Sequence, residues 1–325
     1  MTCEGPRLCY IPGVRRWIAT VCFSLLAALG CAHGPEGRLQ YQTLQSQSED
    51  RPMKYGVYLP PQWDGRTELP VVILLHGAGD DETSADRKIV LDALDEAIIT
   101  GDLPPFILLA PNGDRGFWVN WQNGQHAYRD WVLEEALPDL RRRYPTIAGR
   151  EALHILGVSM GGGGGLQMWL SNPEQFASAS LLSAPILNED ETRRFLRRFM
   201  SKRAIQEVFG PEGDGDGVDP FLELRSADRL GGSRLLFGAA TRDVRGVLRS
   251  NQAFHTHLRE HEVPHQFLTF EGRHAWTSWA DVFVHALCHQ LQPTCPRPTP
   301  AGWAMQSYER HNAEFDPPAR VAPAG

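Results

Sequence analysis

The stretch "LHILGVSMGGGGGLQMWL" (153 to 170) sets one serine between glycines as G-x-S-x-G, at Gly157, Ser159 and Gly161. Phosphate-cradling loops do not fit. Leu166 and Gln167 follow the last glycine where a Walker-type loop needs Lys, and Ser159 stands where a dinucleotide fingerprint needs its second Gly. The apolar run "LHILGV" reads as a strand and "GLQMWL" as a helix, so the serine falls on the sharp turn between them. Such a turn lifts a serine hydroxyl above the edge of a sheet. A free hydroxyl is scarcely ionised at neutral pH and needs a base. The base needs an acid that holds its tautomer and stabilises its charged form. The chemistry on offer is nucleophilic attack on a carbonyl, provided those partners exist.

Asp243 follows "RLLFGAAT", just past the end of a strand-like run, where the acids of open α/β sheets emerge. Asp219 and Asp228 compete for the role, but neither follows such a run. Of the 12 histidines, His274 is singled out because "EGRHAWTSW" leaves the strand-like "HQFLTF" and leads into a helix. His255, His257 and His261 share a helical stretch and read as an exposed helix face. His285 and His289 stand four apart, but no acidic third ligand is in register, so no metal site is expected. Two backbone N–H groups would hold the oxyanion, those of Met160 and of Ala78 in "HGAGD". No organic cofactor is called for. Gly162 to Gly165 remain ambiguous: each interior glycine costs a helix up to ~1 kcal/mol relative to Ala. Close packing or room for a substrate could justify them.

The elements that must position these residues alternate. Strand-like runs recur as "KYGVYLP", "PVVILLH", "FILLAP", "LHILGV", "ASLLSAP", "RLLFGAA" and "HQFLTF", and several are continuously apolar. That is how strands buried on both faces of a parallel sheet read. Helical stretches such as "YRDWVLEEALPDLRRRY" lie between them, so the fold class expected is α/β, a doubly wound, mostly parallel sheet with helices on both faces. Arg15 and Arg16 precede the short apolar "WIATVCFSLLAALG" and then Cys31, a pattern similar to a bacterial lipoprotein signal, although Ala28 stands where Leu is usual. Residues 1–30 are therefore read as the signal and 31–52 as a polar tether. Residues 53–292 form the catalytic domain and 293–325 an irregular Pro/Ala-rich tail. With Cys31 lipidated, Cys288 and Cys295 are free to pair as a disulfide in an oxidising compartment. The expected location is extracytoplasmic, lipid-anchored to the cell envelope with the membrane touched only through the lipid, or otherwise secreted.

A net charge of −7 and the lack of a long basic run argue against nucleic acid as a partner. The basic cluster "RRFLRR" at 193 to 198 reads as a solvated helix face. Asp214, Asp216 and Asp219 in "GPEGDGDGVDP" miss the ligand spacing of a calcium loop.

From about Tyr55 to Leu291 the chain resembles the putative esterase family of α/β-hydrolases, which includes esterase D, feruloyl and acetyl esterases and the antigen 85 mycolyltransferases. The resemblance rests on "LLHGAGDDET", "APNG", "YRDWVLEEALPDLRRRYPT", "GVSMGGGGG", "NPEQFAS", "FGAATRD" and "GRHAWTSW". It implies the α/β-hydrolase fold, with nucleophile, acid and base at Ser159, Asp243 and His274. The activity implied is hydrolysis of a small-molecule or glycan carboxylic ester through an acyl-enzyme. Acyl transfer to a sugar hydroxyl, or a non-catalytic glycan- or envelope-binding lipoprotein, are the alternatives. Trp118, Trp121, Trp169, Trp276 and Trp279 could wall the mouth of such a site, but large apolar side chains favour the core.

Overall fold

A computed structural model describes residues 38–212, 219–292 and 305–311. The signal segment, Cys31, Asp214, Asp216 and Cys295 lie outside them. Nine strands form one sheet in the order β1-β2-β4-β3-β5-β6-β7-β8-β9. The seven apolar runs of the sequence become β2 (Arg51–Leu59), β3 (Val71–Leu75), β4 (Ile107–Pro111), β5 (Leu153–Val158), β6 (Ser178–Leu182), β7 (Arg234–Arg242) and β8 (His265–Arg273). Strands β4, β3, β5, β6, β7 and β8 run parallel, and antiparallel strands flank them.

Two of those flanking strands correct the reading of the termini. Arg38–Ser46, expected to be tether, is β1 and pairs with β2 along its whole length. Backbone pairing needs no apolar pattern at a sheet edge, so "RLQYQTLQS" carries little hydrophobic signal. The turn after it is held from outside: Glu135 accepts from Ser46 Oγ and from the N–H groups of Gln47 and Ser48. Met305–His311, inside the tail expected to be irregular, is β9 and pairs antiparallel with β8.

The helices are α1 (Lys88–Thr100), α2 (Tyr128–Asp130), α3 (Leu137–Arg143), α4 (Met160–Ser171), α5 (Glu189–Leu196), α6 (Lys202–Phe209), α7 (Pro220–Glu223), α8 (Val247–Glu260) and α9 (Trp276–Leu291). A π-helical stretch, Trp131–Ala136, joins α2 to α3 just ahead of Pro138, and there the Leu137 N–H donates five residues back, to Val132. Pro138 has no N–H to continue an ordinary ladder and its ring crowds the preceding turn. Val71, Ile73 and Leu75 of β3 join one core with residues of α3, α4 and α8, while Val72 and Leu74 join a second with α1 and α9. Both faces of the central strands are thus buried, the reason their sequences do not alternate. Arg193 also departs from the solvated face expected of "RRFLRR". It is 4% exposed and its guanidinium donates to Glu189 and to the carbonyls of Phe209, Gly210 and Pro211.

Candidate active site

Ser159 links β5 to α4 with φ 55° and ψ −118°, a conformation costly for a residue with a side chain. Its neighbours make that turn possible. A Cβ on Gly157 would lie 2.2 Å from the Gly161 carbonyl oxygen, and one on Gly161 would lie 1.9 Å from that of Leu75. The Ser159 N–H donates to Leu182 O at 2.9 Å, pinning the turn to the end of β6.

The glycines that follow are explained mainly by close packing. A Cβ on Gly162 would meet Ala184 at 2.7 Å, and one on Gly164 would meet the Phe117 carbonyl oxygen at 2.5 Å. Gly165 faces Ile155 at 3.0 Å, whereas Gly163 has only ordinary contact with Pro185 at 3.5 Å.

Three side chains converge on this turn. His274 Nε2 lies 2.7 Å from Ser159 Oγ, and His274 Nδ1 lies 2.6 Å from Asp243 Oδ1. A carboxylate can only accept, so Nδ1 carries the proton and Nε2 is left to accept from the serine hydroxyl. Asp243 comes off the end of β7 and His274 off the end of β8, so both hang from the same sheet edge as Ser159. The Asp243 side chain is fully buried. Burial alone would raise its pKa, but hydrogen bonds from His274, Ser183 and the Ala240 N–H outweigh it and hold the carboxyl below its usual value.

Ser183 is a member of this constellation that the sequence did not single out. It sits at φ 52° just past β6 and donates to Asp243 Oδ2 at 2.5 Å. Its oxygen accepts in turn from Trp279 Nε1 at 2.9 Å. The pairing of β6 with β7 was the only signal that could have found it, because it brings the ends of "ASLLSAP" and "RLLFGAATRD" side by side.

The two tryptophans of "HAWTSW" therefore serve separate partners. Trp279 is 4% exposed and buttresses Ser183, while Trp276 Nε1 donates to Asp80 Oδ2 at 2.7 Å in the "HGAGD" loop. Arg87 donates to the other Asp80 oxygen at 2.6 Å and lies over the Trp276 ring. Trp118 and Trp169 are wholly buried, consistent with a core role, and Trp121 is partly buried.

The "HGAGD" loop runs along the serine: a Cβ on Gly77 would lie 3.2 Å from Ser159 Cβ. Ala78 follows Gly77, and Met160 is the first residue of α4, whose N–H no helical carbonyl can claim. His76 anchors the loop. It accepts from the Gly113 N–H at 3.0 Å through Nε2, and its Nδ1–H donates to Gly77 O at 2.9 Å. Burial keeps His76 neutral by lowering its pKa.

The other candidates fall elsewhere. Asp219 caps α7 by accepting from the Phe221 N–H, and Asp228 lies in a short exposed turn. His255 is buried rather than on an exposed face and bonds His265, while His257 and His261 donate to the carbonyls of Leu224 and His257. His285 and His289 are buried along α9. Cys288 is disulfide-bonded.

The family described as "Putative esterase" matches residues 46–289. The chain belongs to this esterase family. A curated relative, the endo-1,4-beta-xylanase/feruloyl esterase of Xylanibacter ruminicola, is 26% identical over 204 residues, 59% of this chain and 27% of that protein. An esterase of Mycobacterium tuberculosis is 30% identical over 153 residues, 46% of this chain and 32% of that one. The match thus spans a third or less of either relative. Among solved structures, the fluorophosphonate-binding serine hydrolase FphF of Staphylococcus aureus has a TM-score of 0.65 at 22% identity, covering 79% of this chain and 99% of that one. An S-formylglutathione hydrolase from Agrobacterium tumefaciens has a TM-score of 0.63 at 19% identity, covering 80% and 97%. These likenesses establish the α/β-hydrolase fold of this esterase-family chain.

Proposed function

We propose that this protein hydrolyses carboxylic esters through an acyl-enzyme formed on Ser159. The observation that carries the reading is the unbroken line of hydrogen bonds from Ser159 Oγ through His274 to Asp243. His274 Nε2 takes the hydroxyl proton as Ser159 Oγ attacks the ester carbonyl. The imidazolium so formed is stabilised by Asp243, and it returns the proton to the departing alkoxide. Water then attacks the acyl-enzyme with His274 again acting as base, and the imidazolium returns that proton to Ser159 Oγ as the Oγ–acyl bond breaks and the carboxylic acid leaves. The N–H groups of Ala78 and Met160 hold the oxyanion at both tetrahedral stages, a contribution for which each donor typically accounts for ~10²–10³ in turnover. Family membership supports ester hydrolysis as the reaction class.

The test is incubation with a fluorophosphonate probe beside a nitrophenyl ester assay. Wild type is expected to be labelled and active, and Ser159→Ala to be unlabelled with turnover at least about 10⁴-fold lower. A folded wild type that is neither labelled nor active would make this a non-catalytic binding module. For location we propose a lipid on Cys31, expected to appear as labelled palmitate incorporation that is lost in Cys31→Ser.

A further inference from the structure

The loop after β4, "PNGDRGFW", is packed against the "HGAGD" loop by an unusual density of constraints. Asp114, Phe117 and Trp118 all have positive φ, at 46°, 59° and 64°. The Gly113 N–H donates to His76 Nε2, Trp118 Nε1 donates to His76 O, and Trp121 Nε1 donates to Gly116 O. In the middle of this rigid loop Arg115 is exposed, and its Nη2 lies 3.9 Å from where a Cβ on Gly79 would project. Its guanidinium therefore reaches the loop that carries Ala78, at the residue after Ala78 and two after Gly77, the glycine that borders Ser159.

The acidic side chains carried by the two loops all have other partners. Asp80 is held by Arg87 and Trp276, and Asp81 by the backbone and hydroxyl of Thr83. Glu82 accepts from Asn112 and pairs with Lys54, and Asp114 is taken by Arg51 and Tyr128. Among the described residues, Arg115 has no ion pair and no side-chain hydrogen bond. A guanidinium presents a planar fork of donors matched to carboxylate or phosphate oxygens. A chain of net charge −7 that carries, on a constrained loop next to Ala78, an Arg with no partner among the described residues is equipped to receive an anion there.

We propose that Arg115 is a specificity determinant that favours esters bearing an anionic group, a carboxylate or an equivalent oxyanion, close to the scissile bond. This deepens the hydrolase reading above and rests on it. The anion can belong to the acyl or to the alcohol half, and two matched substrate pairs separate these sources. Mono-4-nitrophenyl adipate against 4-nitrophenyl hexanoate places a carboxylate on the acyl side. The acetate ester of 4-hydroxybenzoate against that of its methyl ester places it on the alcohol side.

In wild type the anionic member of one pair is expected to show a kcat/KM about 1.5- to fivefold above its neutral partner, the range an exposed ion pair supplies. The advantage shrinks as sodium chloride is raised. Arg115→Gln collapses the ratio, Arg115→Lys retains part of it, and Arg203→Gln, on the surface of α6 with a side chain 89% exposed and paired to Glu207, leaves it as in wild type. The proposal is overturned if neither pair favours the anion, or if Arg115→Gln leaves the ratio where it was. Absence of both neutral-ester hydrolysis and fluorophosphonate labelling is a different failure: it removes the hydrolase reading, and this proposal with it.

Discussion

At the residue scale, Asp243 is held by more than its bond to His274. Asp243 takes hydrogen bonds from His274, from Ser183 and from the Ala240 N–H, and each favours its charged form. Replacing Asp243 with Asn removes the acceptor that orients Nδ1–H and is expected to lower kcat by ~10⁴. Asp228→Asn is expected to leave steady-state kinetics unchanged, since Asp228 lies in a separate surface turn. Ser183→Ala deletes one donor to a buried carboxylate, a bond of the charge-assisted kind contributing about 1.5–3 kcal/mol. A kcat lowered about tenfold or more with little change in KM is expected, because Ser183 acts through Asp243 and not on substrate. A change confined to KM would show that Ser183 lines the ester site instead.

At the scale of the element, α4 is a helix whose glycines serve its neighbours. Gly162 and Gly164 let Ala184, the Phe117 carbonyl and the Trp118 side chain approach more closely than a methyl group allows. Gly163 faces outward with only ordinary contacts, so Gly163→Ala is expected to be tolerated and to stabilise the fold by up to ~1 kcal/mol through helix propensity. Gly164→Ala forces backbone apart and is expected to destabilise by about 1–3 kcal/mol, the usual result of overpacking. Urea midpoints of the two variants measure the difference, and equal shifts would remove the packing explanation. The same close approach seats the strained loop that bears Arg115, which ties the glycine run to the mouth of the site.

For the whole molecule, the buried histidines set how stability responds to acid. His154 lies in the middle of the sheet, bonded to Ser178 Oγ, and burial together with the Arg234 charge lowers its pKa to about 3. His76 is depressed in the same direction by burial. The unfolded chain binds protons at these sites near pH 6.5 while the folded chain refuses them, so stability is complete above that pH and falls as pH drops below it. For His154 alone the loss between pH 7 and pH 5 is about 2 kcal/mol. Denaturant titrations at the two pH values should show it, with a shallower slope in His154→Asn. An unchanged slope would mean that His154 is protonated in the folded protein or already neutral in the unfolded one.

How much of this was legible beforehand follows from how far each signal reaches along the chain. The seven apolar runs, the G-x-S-x-G turn and the placement of Asp243 and His274 past strand ends are local patterns, and burial on both sheet faces writes them directly into composition. Strand β1 looks like tether and β9 like irregular tail in the sequence because edge strands are held by backbone pairing, which leaves little trace in residue type. Asp243 could be picked over Asp219 and Asp228 from its place after a strand, but Ser183 could not be joined to it until β6 and β7 lay side by side. Nor could the sequence choose between packing and substrate room for Gly162 to Gly165, since the answer lies in atoms of Ala184, Phe117 and Ile155. The amino-acid order alone determined which elements form and which side chains leave their ends. Only the tertiary structure decided which of those ends meet, because contacts between residues far apart in the chain are set by strand order and loop packing.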